Sequence, residues 1–199
     1  MSDIDRDNPG VVDGEESSFG GGMHSLIAAL PEDHILRVLV REHDVIRRWL
    51  EELESAVVSL EGASAATRPE RLRSMIHAVE RMTGTDPHHR REEDVVYPAC
   101  CNASLDEVVT ALEGEHAEIK QRLAELGAAV QAVAASPTLG VDRILSAMRS
   151  FRFVYDNHMY KEDRVVFPLL AGTLRDEGLW RRLSEEALGC GALLDQDEG

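Results

Sequence analysis

Aromatic residues and long apolar runs are scarce in this sequence. Phe, Trp and Tyr make up 5% of the 199 residues, whereas Ala, Leu, Glu and Arg, which favour helices, are abundant. No apolar run comes near the ~20 residues that span a bilayer, so we expect no membrane segment. The N-terminus, MSDIDRDNPG, lacks the basic and apolar regions of a secretory leader, so we expect a cytoplasmic protein.

Basic residues and cysteines are also few. Lys and Arg number 21 against 37 Asp and Glu, and the formal net charge is −16. Because such a surface repels phosphate backbones, we expect no nucleic-acid partner. Cys100, Cys101 and Cys190 are odd in number and irregularly spaced, which is typical of free thiols in a reducing compartment. A redox role is the alternative, since two of them closely follow a candidate ligand segment.

Apolar residues recur at steps of three and four along four segments, the spacing of a helix face that lines a core. The first series is Leu36, Leu39, His43, Ile46, Leu50, Leu53, Val57 and Leu60. Gly84 and Pro87 interrupt the second segment, and Pro87 is suited to restarting a helix there. Pro98 and Pro168 are predicted to end the second and fourth helices.

These segments predict an all-α protein. Connections of roughly four to eight residues favour antiparallel neighbours, so we expect an antiparallel up-down four-helix bundle over residues 31–170. The polar, glycine-rich stretch over residues 1–30 is predicted to be a flexible, disordered tail. Residues 171–199 are predicted to hold a short fifth helix and a tail, and this helix is a candidate surface for a protein partner.

The chain contains an internal repeat. Glu42-His43 matches Glu115-His116, and residues 88–98 (HHRREEDVVYP) match residues 158–168 (HMYKEDRVVFP) without a gap. Each half is a helix with one histidine in its apolar stripe, then a helix with His-x-x-x-Glu before an aromatic-Pro pair. Two such hairpins that face each other have a pseudo-twofold axis, near which the histidines converge.

The repeated residues are suited to binding metal. His88 and Glu92 lie one helical turn apart on one face, and so do His158 and Glu162. Imidazole with carboxylate, and without thiolate, suits iron or manganese better than a structural zinc ion. Four histidines and two bridging carboxylates leave some of the about twelve positions of two octahedral ions open. Open positions are typical of a site that binds small ligands.

Several alternatives remain from the residues alone. The histidines could be hydrogen-bonded core residues, or they could hold a single metal ion. A second helix without a break would turn His89 and Glu93 inward, whereas the ungapped repeat favours His88 and Glu92. A ferritin-like site needs Glu-x-x-His twice, and the sequence has it once, ending at His116.

Four further residues are candidates for contacts around the ligands. His89 and Glu93 follow the favoured pair directly, and Tyr155 lies one turn before His158 on the same stripe. Lys120 lies one turn after His116 and is a candidate to hydrogen-bond a bound ligand.

These motifs resemble the hemerythrin-like, HHE cation-binding family over roughly residues 32–170. The resemblance implies a four-helix bundle that binds two non-haem iron ions, bridged by oxo or hydroxo and carboxylate groups. The ligands that it implies are His43, His88, Glu92, His116, His158 and Glu162. Hemerythrin itself has a histidine where this chain has Lys120, so the resemblance implies that one iron has fewer histidines than in an oxygen carrier.

Three functions follow as hypotheses. The first is binding or sensing of a small ligand such as O2 or NO, or of iron, because the bundle has no recognisable catalytic base or substrate domain. The second is a di-iron redox enzyme that acts on peroxide or NO, or an oxygenase, because one histidine is missing. The third is iron delivery or iron–sulfur repair, which the family resemblance implies.

Overall fold

The computed structural model describes residues 26–100, 105–136, 140–191 and 193, with the Cys100 side chain left out. These residues form helices and turns and no strand, so the all-α prediction is confirmed for this part of the chain. The helices are α1 (Ile35–Glu61), α2 (Arg68–Thr83), α3 (Asp86–Arg90), π1 (Arg91–Val96), α4 (Tyr97–Cys100), α5 (Asp106–Ala135), α6 (Asp142–Lys161), π2 (Glu162–Val166), α7 (Phe167–Thr173) and α8 (Glu177–Leu188).

Most of the predicted tail, and the side chains of Cys100 and Cys101, lie outside the described residues, so those predictions remain untested. The described chain nevertheless begins before residue 31. Residues 26–28 form a helical turn, and Ile27 is buried against the core. The tail prediction was therefore wrong for its last few residues, because Ile27 has an apolar surface on which to pack.

The helix boundaries follow from capping residues. The His34 side chain accepts a hydrogen bond from the Leu36 N–H at 3.2 Å at the start of α1. Pro69 lies in the first turn of α2, where its missing N–H costs nothing, and Gly84 follows the last residue of α2. Asp176 caps α8 by accepting from the Leu179 N–H at 2.8 Å. Gly84 thus separates α2 from α3 at the predicted break.

Pro98 and Pro168 do not end their helices, contrary to the prediction. The chain instead passes through a π turn before each proline and continues helical to Cys100 and Thr173. A proline has no N–H to donate, and its ring clashes with the carbonyl of the residue four before it. The π turn avoids that conflict: the Tyr97 N–H donates to the Glu92 carbonyl, five residues back, and the Phe167 N–H donates likewise to Glu162.

A polar layer divides the core in two. One apolar cluster contains Ile46 and Leu50 of α1 with residues of α2, α5 and α6, and the other contains Leu36 and Leu39 with residues of α4, α5, α7 and α8. His43 lies between them on α1. The helices α1 and α5 each pack against both α2 and α6. None of the described helices is long and apolar enough to cross a membrane.

The helix α8 covers the second apolar cluster. Trp180, Leu183 and Ala187 are its buried residues. Arg91 of π1 donates through Nε to the Ala187 carbonyl at 3.2 Å and also hydrogen-bonds the Gly191 carbonyl. The helix α8, which is the predicted fifth helix, is therefore hydrogen-bonded to π1, the segment that contains the predicted ligand Glu92.

Candidate metal centre

Six buried side chains converge in the polar layer. They form two groups of possible metal ligands that share Glu92 and Glu162: one group adds His43 and His88, and the other adds His116 and His158. Within each group the possible ligand atoms lie within 4.8 Å of one another. All six residues are at most 1% exposed. The structure thus brings together the six residues that the repeat singled out.

Each histidine turns its Nε2 atom toward a shared carboxylate. Glu162 Oε2 lies 3.2 Å from His43 Nε2 and 3.1 Å from His158 Nε2. The two oxygens of Glu92 face different histidines: Oε1 lies 3.2 Å from His88 Nε2, and Oε2 lies 3.3 Å from His116 Nε2. The two carboxylates are therefore placed between the two pairs of histidines.

Several of these atoms have no hydrogen-bond partner. They are His43 Nε2, His88 Nε2, both oxygens of Glu92 and Glu162 Oε2. These nitrogens and oxygens lie at ion-pairing distances, with His43 Nε2 3.2 Å from Glu162 Oε2 and His88 Nε2 3.2 Å from Glu92 Oε1. Buried polar atoms without partners are costly, and so many facing one another call for a bound cation. The residues therefore fit the metal ions that the donor chemistry implies.

Each of the four histidines donates its other ring nitrogen, Nδ1, to a second carboxylate. Since a carboxylate only accepts, the proton lies on Nδ1, and in the neutral ring Nε2 has a lone pair for a metal. The pairs are His43 with Asp163 at 2.8 Å, His88 with Glu42 at 2.9 Å, His116 with Glu93 at 2.6 Å and His158 with Glu115 at 3.1 Å.

These four pairs obey the internal repeat. Glu42 and Glu115 each precede the histidine of one half, while Glu93 and Asp163 each follow a shared carboxylate. The sequence pattern predicts a contact from Glu93 but none from Glu42, Glu115 or Asp163. The signal was present as acidic residues directly beside the motif residues, although the sequence does not tell which histidine each one reaches.

We call Glu42, Glu93, Glu115 and Asp163 the outer carboxylates. Three of them also hydrogen-bond a basic residue. Arg91 hydrogen-bonds Glu42, Arg47 hydrogen-bonds Asp163, and Lys161 hydrogen-bonds Glu115. A charged partner holds each of these carboxylates in place and leaves it oriented to accept from its histidine.

The metal-free cluster balances positive imidazoles against carboxylates. Burial lowers the pKa of His43, but the hydrogen bond to Asp163 and the negative charges of Asp163 and Glu162 outweigh it and raise that pKa to about 10. Nearby carboxylates also outweigh burial at two further histidines. They raise the pKa of His158 to about 10 and the pKa of His88 to about 9. Burial raises the pKa of Glu162, but nearby His158 and His43 hold it well below its usual value. Metal ions would therefore displace protons from these histidines.

His89 lies beside the cluster and is buried. Its ring stacks on the His116 ring at a centroid distance of 4.2 Å, and its Nε2 lies 3.1 Å from the Tyr155 hydroxyl. Its Nδ1 has no hydrogen-bond partner. Burial and the positive charge of His116 lower the pKa of His89 well below its usual value, so it is neutral. His89 and Tyr155 thus contact the cluster from outside.

Lys120 lies away from these contacts, at the surface. Its side chain is 50% exposed, and its Nζ pairs with Asp86 at 3.1 Å. It lines a cavity of about 480 Å³ between α2, α3 and α5, whose other walls include His89, Ile119 and Leu123. The structure therefore gives no support to a hydrogen bond from Lys120 to a metal-bound ligand, and it puts His89 between this cavity and His116.

Tyr97 is a contact that our sequence analysis did not predict. Its hydroxyl donates to Glu162 Oε1, and the side chain is 1% exposed. Burial and the charges of Glu92 and Glu162 raise the pKa of Tyr97 well above its usual value, so it remains a neutral donor. The sequence marked this residue only as the aromatic member of an aromatic-Pro pair.

Comparison with known families agrees with this geometry. The model of the hemerythrin HHE cation binding domain matches residues 34–170, and it matches again over residues 109–198, which include the second copy of the repeat. The comparison with curated proteins gives no match. The first match covers more than half of the chain and includes all six converging residues. The chain therefore belongs to the hemerythrin HHE cation-binding domain family.

Proposed function

We propose that the protein binds two iron ions and uses them to bind or sense a small ligand such as O2 or NO. The observation that carries the proposal is the pair of ligand groups that share Glu92 and Glu162. His43 and His88 would hold one ion, His116 and His158 the other, with oxo or hydroxo and carboxylate bridges between them. In this arrangement the helices form an up-down four-helix bundle with the ions on its axis.

The number of metal-ligand atoms supports a centre with open positions for a small ligand. Four imidazole nitrogens and at most four carboxylate oxygens fall short of the about twelve positions of two six-coordinate ions. Iron bound there would supply changeable oxidation states and open positions for a small ligand. The protein's own part is to fix each imidazole through an outer carboxylate and to exclude water with the two apolar clusters.

The surroundings favour a small ligand over a large substrate. All six proposed ligands are at most 1% exposed, so a bulky molecule has no direct access to them. The cavity beside His89 has apolar walls of α2 and α5 and ends near His116. We expect a diatomic molecule to approach the centre through it. The same burial argues against iron delivery, because release would require the helices to part.

The alternative function is redox catalysis on peroxide or NO, or oxygenase-like chemistry. The unpartnered Nδ1 of neutral His89, stacked on His116, is the observation that favours it. This nitrogen is suited to donate a hydrogen bond to a ligand or product near the centre, or to accept one from it. Tyr155 fixes the ring from the other side at 3.1 Å.

The test is to load the protein with iron, reduce it without oxygen and record its absorption spectrum after mixing with O2. We expect an oxygenated spectrum that reverses when O2 is removed. Immediate passage to the oxidised form would contradict binding or sensing of O2 and favour the redox enzyme, for which peroxide and NO would be the next substrates. His89→Phe, which keeps a ring against His116, tests the alternative, because it should slow turnover only if His89 takes part.

A further inference from the structure

One residue breaks the twofold symmetry of the centre. Tyr97 and Phe167 are equivalent in the repeat, each five residues after a shared carboxylate and directly after a π turn. Both are buried, and both lie nearly parallel to a proposed histidine ligand: Phe167 is 5.6 Å from the His43 ring, and Tyr97 is 6.4 Å from the His116 ring. The two rings therefore occupy matching places, and only one carries a hydroxyl.

Because of the Tyr97 hydroxyl, Glu92 and Glu162 differ in the number of oxygens that are free to bind metal. The Tyr97 hydroxyl donates to Glu162 Oε1, so only Oε2 of Glu162 is without a partner. Phe167 has no hydroxyl to donate, and both oxygens of Glu92 are without a partner. Glu162 Oε2 faces His43 and His158, one histidine from each group, at 3.2 and 3.1 Å. Glu92 instead divides its two oxygens between the groups.

We propose that Tyr97 is a positioning residue that makes the two shared carboxylates inequivalent, by holding one oxygen of Glu162 away from the metal ions while Glu92 keeps both oxygens for them. This inference rests on the proposed two-iron centre, but not on the identity of its small ligand. The tyrosine acts through Glu162 and is not itself a ligand. A bundle with Phe at both positions would have two matching carboxylates.

The chain offers matched variants for a test. Tyr97→Phe makes the two halves alike, and Phe167→Tyr in that background moves the hydroxyl to the other half. Tyr160→Phe is the control, because Tyr160 is 63% exposed. Each protein is loaded with 57Fe, its iron content is measured, and Mössbauer spectra are recorded for the oxidised form.

We expect the native protein and Tyr160→Phe to give the same quadrupole doublets. The doublets should shift in Tyr97→Phe, which should still hold two iron ions per chain, because Glu162 then offers both oxygens to the metal ions. They should return towards the native doublets in the double variant, in which Glu92 has the held oxygen instead. Iron affinity in Tyr97→Phe should fall by about 10-fold to 100-fold, as is usual when an outer contact of a ligand is lost.

Three outcomes would overturn the inference. Unchanged doublets in Tyr97→Phe at full iron content would leave Tyr97 a purely structural role. A phenolate-to-iron absorption band that disappears in Tyr97→Phe would make it a ligand instead of a donor. If the native protein holds no iron, the proposed centre itself fails, and the iron content separates that result from the first two.

Discussion

At the scale of single residues, the centre depends on pairs of side chains. Each proposed histidine ligand has an outer carboxylate, and three of those carboxylates have a basic partner. A fixed imidazole loses less freedom when it binds metal, and an anionic partner makes it a better donor. The outer carboxylates should therefore affect metal affinity without touching the metal.

Glu115 offers a direct test of that effect. Glu115→Ala removes the acceptor of His158 Nδ1, and we expect iron affinity to fall by about 10-fold to 100-fold. Glu118→Ala is the matched control, one turn along α5, because Glu118 pairs only with Arg122 among the contacts described for it. Competition with a chelator measures both affinities. Equal affinities for the two variants would contradict the role of Glu115.

The sequence predicted the inner residues better than the outer ones. His88 and Glu92 could be preferred to His89 and Glu93 because residues 88–98 align with residues 158–168 without a gap. The structure brings His88 and Glu92 to the ligand groups and turns Glu93 to His116. Which carboxylate reaches which histidine depends on how separate helices pack, and no spacing within one helix contains that information.

At the scale of elements, the π turns are the main departure from the predicted helices. A proline inside a helical pattern predicts the end of the helix, since it removes a hydrogen bond and clashes with the preceding turn. Both prolines instead follow a widened turn that includes a shared carboxylate. Such turns are frequent at functional sites, but their hydrogen-bond register cannot be read from a periodicity of 3.6 residues.

The helix α8 was predicted from its apolar residues, and its packing partner was not. Trp180 is 6% exposed in the cluster that covers the π1 side of the centre, whereas Leu188 on the same helix is 77% exposed. Trp180→Ala should lower the free energy of unfolding of the metal-free protein by about 3–5 kcal/mol, through lost burial and a cavity.

Leu188→Ala is the control for that variant and should change the free energy of unfolding by less than about 0.5 kcal/mol. Urea denaturation followed by circular dichroism measures both. A small loss in Trp180→Ala would mean that α8 is not part of the cooperative unit, and it would favour the predicted use of this helix as a partner surface.

At the scale of the whole molecule, the centre links stability to pH. In the metal-free protein the pKa values of His43, His88 and His158 are raised to about 9–10 from an ordinary value of 6.5. Groups with raised folded-state pKa values stabilise fully below the unfolded value, and this contribution is lost as pH rises through the folded value. We therefore expect the free energy of unfolding to fall between about pH 6.5 and about pH 10.

The iron-loaded protein is the control for this pH dependence. Metal ions replace the protons on the three histidines, so the loaded protein should lose less stability over the same range. The measurement is a series of urea denaturation curves at fixed ionic strength. A flat pH profile for the metal-free protein would show that the histidines and carboxylates are not coupled as the geometry indicates.

The proposed function requires that Glu92 and Glu162 are shared by two ions. Anaerobic titration of the metal-free protein with iron(II) tests this sharing, with the native chain, Glu92→Ala and Glu93→Ala side by side. We predict two ions per chain for the native protein, loss of tight binding for Glu92→Ala, and two more weakly bound ions for Glu93→Ala. One ion per chain in the native protein, or two tightly bound ions in Glu92→Ala, would contradict the claim.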